Sequence, residues 1–344
     1  MSALMRALIA SALLAACAPA TQSAAQAVAA PPPAAETVAE APLPSPHLFA
    51  IPSAPASGST ASWPAPELAP LLVPGPPSGA SEGLLRCAGA FAQGGTALCR
   101  TAPGAIVTVD GAERGRADAQ GWFVVGFDRD SPAVSEISVS LASVSASQRF
   151  DVMPRQFSIQ RVEGLPPQTV NPTDPAIIAR IAREREVKNV GFASRADAEG
   201  WLDGFRWPVE GPISGSWGNQ RIDNGVPKSP HYGVDIAMPT GTPVRAPASG
   251  VVALAEPDMF LEGGLVLLDH GQGLISMYLH MSEVDVRVGQ TIAQGDQIGR
   301  IGNRGRATGP HLCWRMKWRD RNLDPSLAIL ALANARAELA SARQ

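Results

Sequence analysis

Two short stretches, distant from each other in the chain, limit most strongly what this sequence can fold into: HYGVD, with His231 and Asp235, and GPHLCWRM, with His311 and Cys313. In an extended strand the side chains alternate, so residues an even number of positions apart share a face. Each pair therefore presents both members on one side of its own strand. A fold that brings the two strands together aims four metal-binding or proton-handling groups at one point. Gly233 lies between His231 and Asp235 on the same face, and its missing side chain leaves room for an ion or a substrate. The pattern asks for a sheet, and it has the geometry of an open zinc site.

The chain begins with its compartment. Residues 1–17 hold one positive residue, Arg6, and a short apolar run of Leu8, Ile9, Leu13 and Leu14, too short to span a bilayer as a mature helix. This reads as a signal peptide and predicts export to the periplasm or cell envelope. Two exits fit. Leu14-Ala15-Ala16-Cys17 resembles a lipobox, which would place a lipid on Cys17 and anchor the protein to a membrane; Ala25-Gln26-Ala27 has the form of an ordinary cleavage site. Residues 18–80 are dominated by Ala, Pro and Ser with almost no charge. Such a segment cannot bury enough surface to offset its ordering entropy, and its prolines keep it extended, so it reads as a disordered tether. His47 lies within it and receives no role.

From Leu84 the texture changes. AIVTVDG and GWFVVGF have strand composition, and Ile137, Val139 and Leu141 alternate with Ser138 and Ser140, as in a half-buried strand. A small β domain over 84–170 follows. Cys87 and Cys99 flank AGAFAQGGTAL; in an exported protein they fit a local disulfide, with two small buried thiols as the alternative. Asp174-Pro175 opens a charged stretch to Lys188, with Pro at a first helical position and Ile177, Ile178 and Ile181 as a narrow apolar stripe, which predicts a helical connector within 171–200. Residues 205–330 form the last domain. Its runs VRAPASGVVALAEP and GLVLLDHGQGLISMYLH read as strands, the second turning at Gly271-Gln272-Gly273. Glycines recur at Gly289, Gly295, Gly299, Gly302, Gly305 and Gly309, where short strands can turn. Asp324-Pro325 caps a closing helix through Leu327, Leu330 and Leu332, and 331–344 is an Ala-rich helical tail that could fray. The expected fold class is mainly β, an antiparallel sheet domain preceded by the small β domain and the helical connector. A net charge of -3 with no basic cluster gives no footing for nucleic-acid binding.

Three blocks in order, HYGVDIAMPTGTPVRAPASGVV, VLLDHGQGLISMYLHMS and VGQTIAQGDQIGRIGNRGRATGPHLCW, resemble peptidase family M23, the lysostaphin and LytM type of zinc endopeptidase that cuts peptide cross-links of bacterial cell walls. The match runs from about Trp207 to Trp318. The resemblance implies an M23/LytM fold for the last domain, Zn2+ as cofactor, and peptidoglycan stem peptides as substrate. In a Gram-negative cell the bond would be D-Ala to meso-diaminopimelate. It makes His231 and Asp235 metal ligands. It makes His280, in YLH, and His311, the first position of the HxH motif, the catalytic pair that positions the attacking water and stabilises the developing oxyanion.

The third family ligand is the second His of HxH, and here that position is Cys313. Thiolate binds zinc at about 2.3 Å against about 2.0–2.1 Å for imidazole, and mixed Cys/His sites catalyse reactions. It also gives more negative charge to the metal, which weakens the Lewis acid. Two readings stand: a slower zinc peptidase, or a degenerate M23 protein that binds the wall or activates a separate amidase; an amidase or a divisome protein is the partner either would take. The retained His231, Asp235, His280 and His311 speak for the enzyme. His270, in DHG, reads as a satisfied structural histidine. Tyr278 shares strand parity with His280 and reads as packing or cleft lining. Trp314 and Trp318 face opposite to His311 and Cys313, as core or groove wall.

Overall fold

In the computed structural model, residues 84–341 are described; the leader, the tether, Cys17 and His47 lie outside them. The described residues are mostly strand. The central element is a ten-stranded sheet whose main path runs Thr291–Ile292, Gly250–Met259, Gly263–Asp269, Leu274–Val284, Leu312–Trp318, Val234–Ile236 and Ile213–Gly215, each neighbouring pair antiparallel. Gly263–Asp269 is buried along its whole length. Its continuous apolar run is what a strand covered on both faces requires. The turn at Gly271–Gly273 holds three consecutive positive φ angles, 93°, 54° and 76°, which explains the two glycines there.

One face of the sheet carries Tyr278, Trp314, Met316 and Trp318 into the main core. The other carries Leu254, Leu267, Met277, Leu279 and Cys313. Part of this second face is covered by the connector helix, Pro175–Phe192, whose N-cap is Asp174 accepting a 2.7 Å bond from Ala176 N. The helix docks mostly through polar contacts. Arg180 donates to the Asp258 carbonyl, the Glu184 carboxylate accepts from Phe260 N, and Lys188 pairs with Glu262. Gly191 lets the last turn approach the sheet, since a Cβ there would lie 2.7 Å from Leu267 Cδ1. Ile178, expected in the apolar stripe, is 49% exposed. Its place facing the sheet is taken by Arg180, Glu184 and Lys188.

Upstream, Cys87 and Cys99 sit opposite each other on paired antiparallel strands and form the disulfide. Val134–Leu141 buries Ile137 and Val139 but leaves Leu141 exposed at its end. The closing helix, Pro325–Ser341, starts at Asp324, which accepts from Ser326 N and Oγ. Through Ser341 the Ala-rich stretch is helical and packed. Ala331, Leu332, Ala335 and Leu339 are buried, because the helix packs on the Arg86–Gly89 and Thr96–Arg100 strands. All described residues belong to one compact unit, and one apolar cluster runs from Leu85 to Leu339. Ile159–Val162 runs parallel beside Gln220–Asp223, which ties the end of the upstream region to the loop ahead of His231.

Candidate metal centre

The Val234–Ile236 strand pairs antiparallel with Leu312–Trp318 and sets Asp235 directly opposite Cys313. His231 enters just before that strand. Its Nε2 lies 3.4 Å from Cys313 Sγ and 3.1 Å from Asp235 Oδ1. The donor atoms of His231, Asp235 and Cys313 all fall within 4.8 Å of one another, and all three residues are buried. The ladder places Asp235 and Cys313, whereas His231 reaches them from the segment ahead of the strand, outside the single strand that its even spacing from Asp235 suggested.

Backbone carbonyls fix the direction of the three rings around the site. His231 Nδ1 faces the Ser216 carbonyl at 3.2 Å, His280 Nδ1 faces that of Arg304 at 2.8 Å, and His311 Nδ1 faces that of Gly309 at 2.9 Å. A carbonyl can only accept, so each Nδ1 carries the proton and each Nε2 presents a lone pair. The His280 and His311 ring centres are 4.7 Å apart, and His311 Nε2 lies 3.8 Å from Asp235 Oδ1.

Asp235 tests whether a metal fits the site. Its Oδ2 accepts from Arg221 Nη2 at 2.6 Å. Its buried Oδ1 has His231 Nε2 at 3.1 Å, but with the ring proton on Nδ1 that nitrogen cannot donate, and Oδ1 is left without a donor among the described residues. A buried carboxylate oxygen without a donor is costly unless a cation takes the donor's place. Oδ1, the His231 Nε2 lone pair and Cys313 Sγ form a mixed O, N and S donor set of the kind that suits zinc. Burial opposes the charge on Asp235, but the Arg221 guanidinium at 2.6 Å favours it, and the carboxyl stays ionised. Burial also pushes the Cys313 thiol up to about 12, against the pull of Arg315. A bound cation inverts that balance and takes the sulfur as thiolate.

His280 reaches the site by an irregularity. Leu279 stands opposite Cys313 and Tyr278 opposite Trp314. By alternation His280 should follow Tyr278 into the opposite core. Instead its φ is +66°, a conformation rare for a non-glycine residue and characteristic of functional sites, and the ring turns toward His311. Its amide is held by the Glu262 carbonyl at 2.7 Å. The parity shared with Tyr278 is thus broken: Tyr278 is fully buried with its hydroxyl 2.6 Å from Ser276 Oγ. Burial first, and His311 second, lower the His280 pKa to about 3. His270 is the satisfied structural histidine its context suggests, 2.7 Å from the Ser249 carbonyl and 2.7 Å from Ser276 Oγ.

The room expected beside Gly233 is already taken. A Cβ there would stand 2.8 Å from Arg315 Cγ and 2.9 Å from Cys313 Sγ, so the glycine makes way for protein, and the open side lies elsewhere. A cleft of about 120 Å³ reaches Asp235 and His311, lined also by Gln160, Leu165, Arg221, Arg306 and Thr308. Three arginines near the site were given no role from the sequence, although the loop opening at Arg221 was a candidate for shaping substrate access. Arg315 was within reach, since on a strand it shares the face of Cys313; Arg221 and Arg306 depend on pairings that no local pattern announces. No helix among the described residues is long and apolar enough to cross a membrane.

The model of peptidase family M23 matches residues 229–325. The peptidoglycan DD-endopeptidase ShyA of Vibrio cholerae is 35% identical over 133 residues, covering 38% of this chain and 31% of that protein. The cell division protein DipM of Caulobacter vibrioides is 33% identical over 135 residues, covering 36% of this chain and 21% of that protein. The chain thus spans less than a third of the length of these curated relatives. The crystal structure of a putative peptidase M23 from Pseudomonas aeruginosa superposes with a TM-score of 0.53 and 31% identity, over 69% of this chain and 94% of that one.

Proposed function

This chain belongs to peptidase family M23, and from that premise we propose that it is a zinc-dependent endopeptidase acting on the peptide cross-links of peptidoglycan, with Cys313 as its third metal ligand. The observation that carries the reading is the meeting of three buried donors, His231 Nε2, Asp235 Oδ1 and Cys313 Sγ, with the second oxygen of Asp235 already bonded to Arg221. Zinc at these donors would supply a Lewis acid for the scissile carbonyl and acidify the attacking water.

The remaining chemistry falls to the chain. Arg221 holds Asp235 so that only Oδ1 turns inward. His280 and His311, each with its Nδ1 proton spent on a carbonyl, offer Nε2 as acceptors for a proton of the attacking water. Once protonated, the same Nε2–H faces the developing oxyanion and the leaving amine. The polar cleft with Arg221, Arg306 and Gln160 receives the stem peptide. In a Gram-negative envelope the bond is D-Ala to meso-diaminopimelate. Export through the leader, either free or lipidated at Cys17, and association with division or amidase proteins belong to the same reading.

Purified chain, supplied with zinc under reducing conditions and incubated with sacculi, is expected to release soluble peptides with new amino termini. A chelator should stop the release and added zinc restore it. Protein that pellets with the wall and releases nothing would favour the wall-binding or amidase-activating reading instead.

A further inference from the structure

The Cys313 sulfur has a cation beside it. Arg315 Nε donates to Sγ at 3.3 Å. Both residues stand on one face of the Leu312–Trp318 strand, and Arg315 lies opposite Met277. The guanidinium stem fits between the strands only because position 233 is glycine. Among the described residues Arg315 makes no salt bridge; nearby Glu262 is paired with Lys188. Of the groups around the Arg315 guanidinium, Cys313 is the one it hydrogen-bonds, with Asp235 and Glu262 as the more distant anions.

We propose that Arg315 is a positioning residue for the Cys313 thiolate, holding Sγ toward His231 and Asp235 and offsetting the negative charge that a thiolate adds where an imidazole would be neutral. The inference rests on the reading of His231, Asp235 and Cys313 as metal ligands. An extra anionic ligand makes a bound metal a poorer Lewis acid. A charge-assisted N–H to sulfur bond draws electron density off the ligand and counters that loss. Arginine suits the task better than lysine, because its charge is permanent and Nε–H has a fixed direction. The ligand and its neighbouring cation then act as one unit that takes the place of a neutral donor.

The test uses full-length protein loaded with Co2+, whose thiolate-to-metal absorption band reports the sulfur directly, together with zinc-loaded hydrolysis. Arg315→Gln is expected to move the band to lower energy and to reduce kcat by about tenfold or more with KM unchanged, the scale on which partners of metal ligands usually act. Arg315→Lys should recover most of both effects. In a Cys313→His background the same Arg315→Gln change should leave kcat nearly unchanged. A band that does not move, or an equal loss in both backgrounds, would overturn the proposal and reduce Arg315 to packing. Should Arg315→Gln fail to fold, Arg315→Met carries the test, with the same shift of the band expected and no shift contradicting the proposal. Parent protein that binds no Co2+ at all would instead sink the metal reading on which the inference stands.

Discussion

At the scale of the residue, the site is a set of directions fixed before any ligand arrives. Three Nδ1 atoms are held on carbonyls and one carboxylate oxygen on Arg221. Asp235→Asn keeps the shape and removes the charge, and leaves Arg221 without its ionic partner. It is expected to weaken zinc affinity at least tenfold, on the order of the loss seen when a metal site's supporting groups are changed, in competition with a chelator. The Cys313 thiol, pushed up to about 12 by burial, must lose its proton to bind metal. Zinc uptake should therefore release a proton, and apparent affinity should rise by about tenfold per pH unit below that value, which chelator titrations at several pH values would read out. Affinity flat in pH would argue against sulfur as a ligand. Asp235 and Cys313 meet across paired strands, as their spacing suggested, while His231 and His311 lie just ahead of those strands, where alternation alone does not fix a side chain. His280 was legible only through the family resemblance, since a positive φ breaks the alternation that would have located it.

At the scale of the element, two close approaches hold the site together. Gly233 admits Arg315 and Cys313, and Gly191 admits the connector helix to Leu267 and Leu254. Gly233→Ala places a methyl group against packed atoms, with an expected cost of about 1–3 kcal/mol in chemical denaturation and a loss of bound zinc. Stability and zinc content equal to the parent would show that the strands can yield there. The connector helix was legible from its Asp-Pro start, but not its contact face. Local sequence offered three isoleucines, whereas the sheet presents Asp258, the Phe260 amide and Glu262, so charged residues dock it. The closing helix was legible in place and not in role. Its small alanines looked like a loose tail, yet small side chains are what close packing on the Arg86–Gly89 and Thr96–Arg100 strands requires.

At the scale of the whole molecule, a single core serves both the upstream strands and the sheet that carries the site, an arrangement set by long-range packing that composition cannot reveal. Burial of neutral histidines ties this core to pH. His270 is lowered to about 4 and His280 to about 3, from 6.5. Between pH 6.5 and 4 the unfolded chain takes up protons that the native chain refuses, so stability falls as pH falls through that window, by roughly 3 kcal/mol for His270 alone. Urea unfolding at pH 7 and pH 5 should show the fall, and His270→Gln should reduce it while leaving the share of His280; an equal slope in the variant would contradict the assignment. The decisive observation is the zinc content of the purified chain, beside Cys313→Ser and Cys313→His. One zinc per chain in the parent, lost in the Ser variant and regained in the His variant, is expected from three buried donors at one point. A parent that holds no zinc when it is supplied under reducing conditions would contradict the metal centre and, with it, the peptidase.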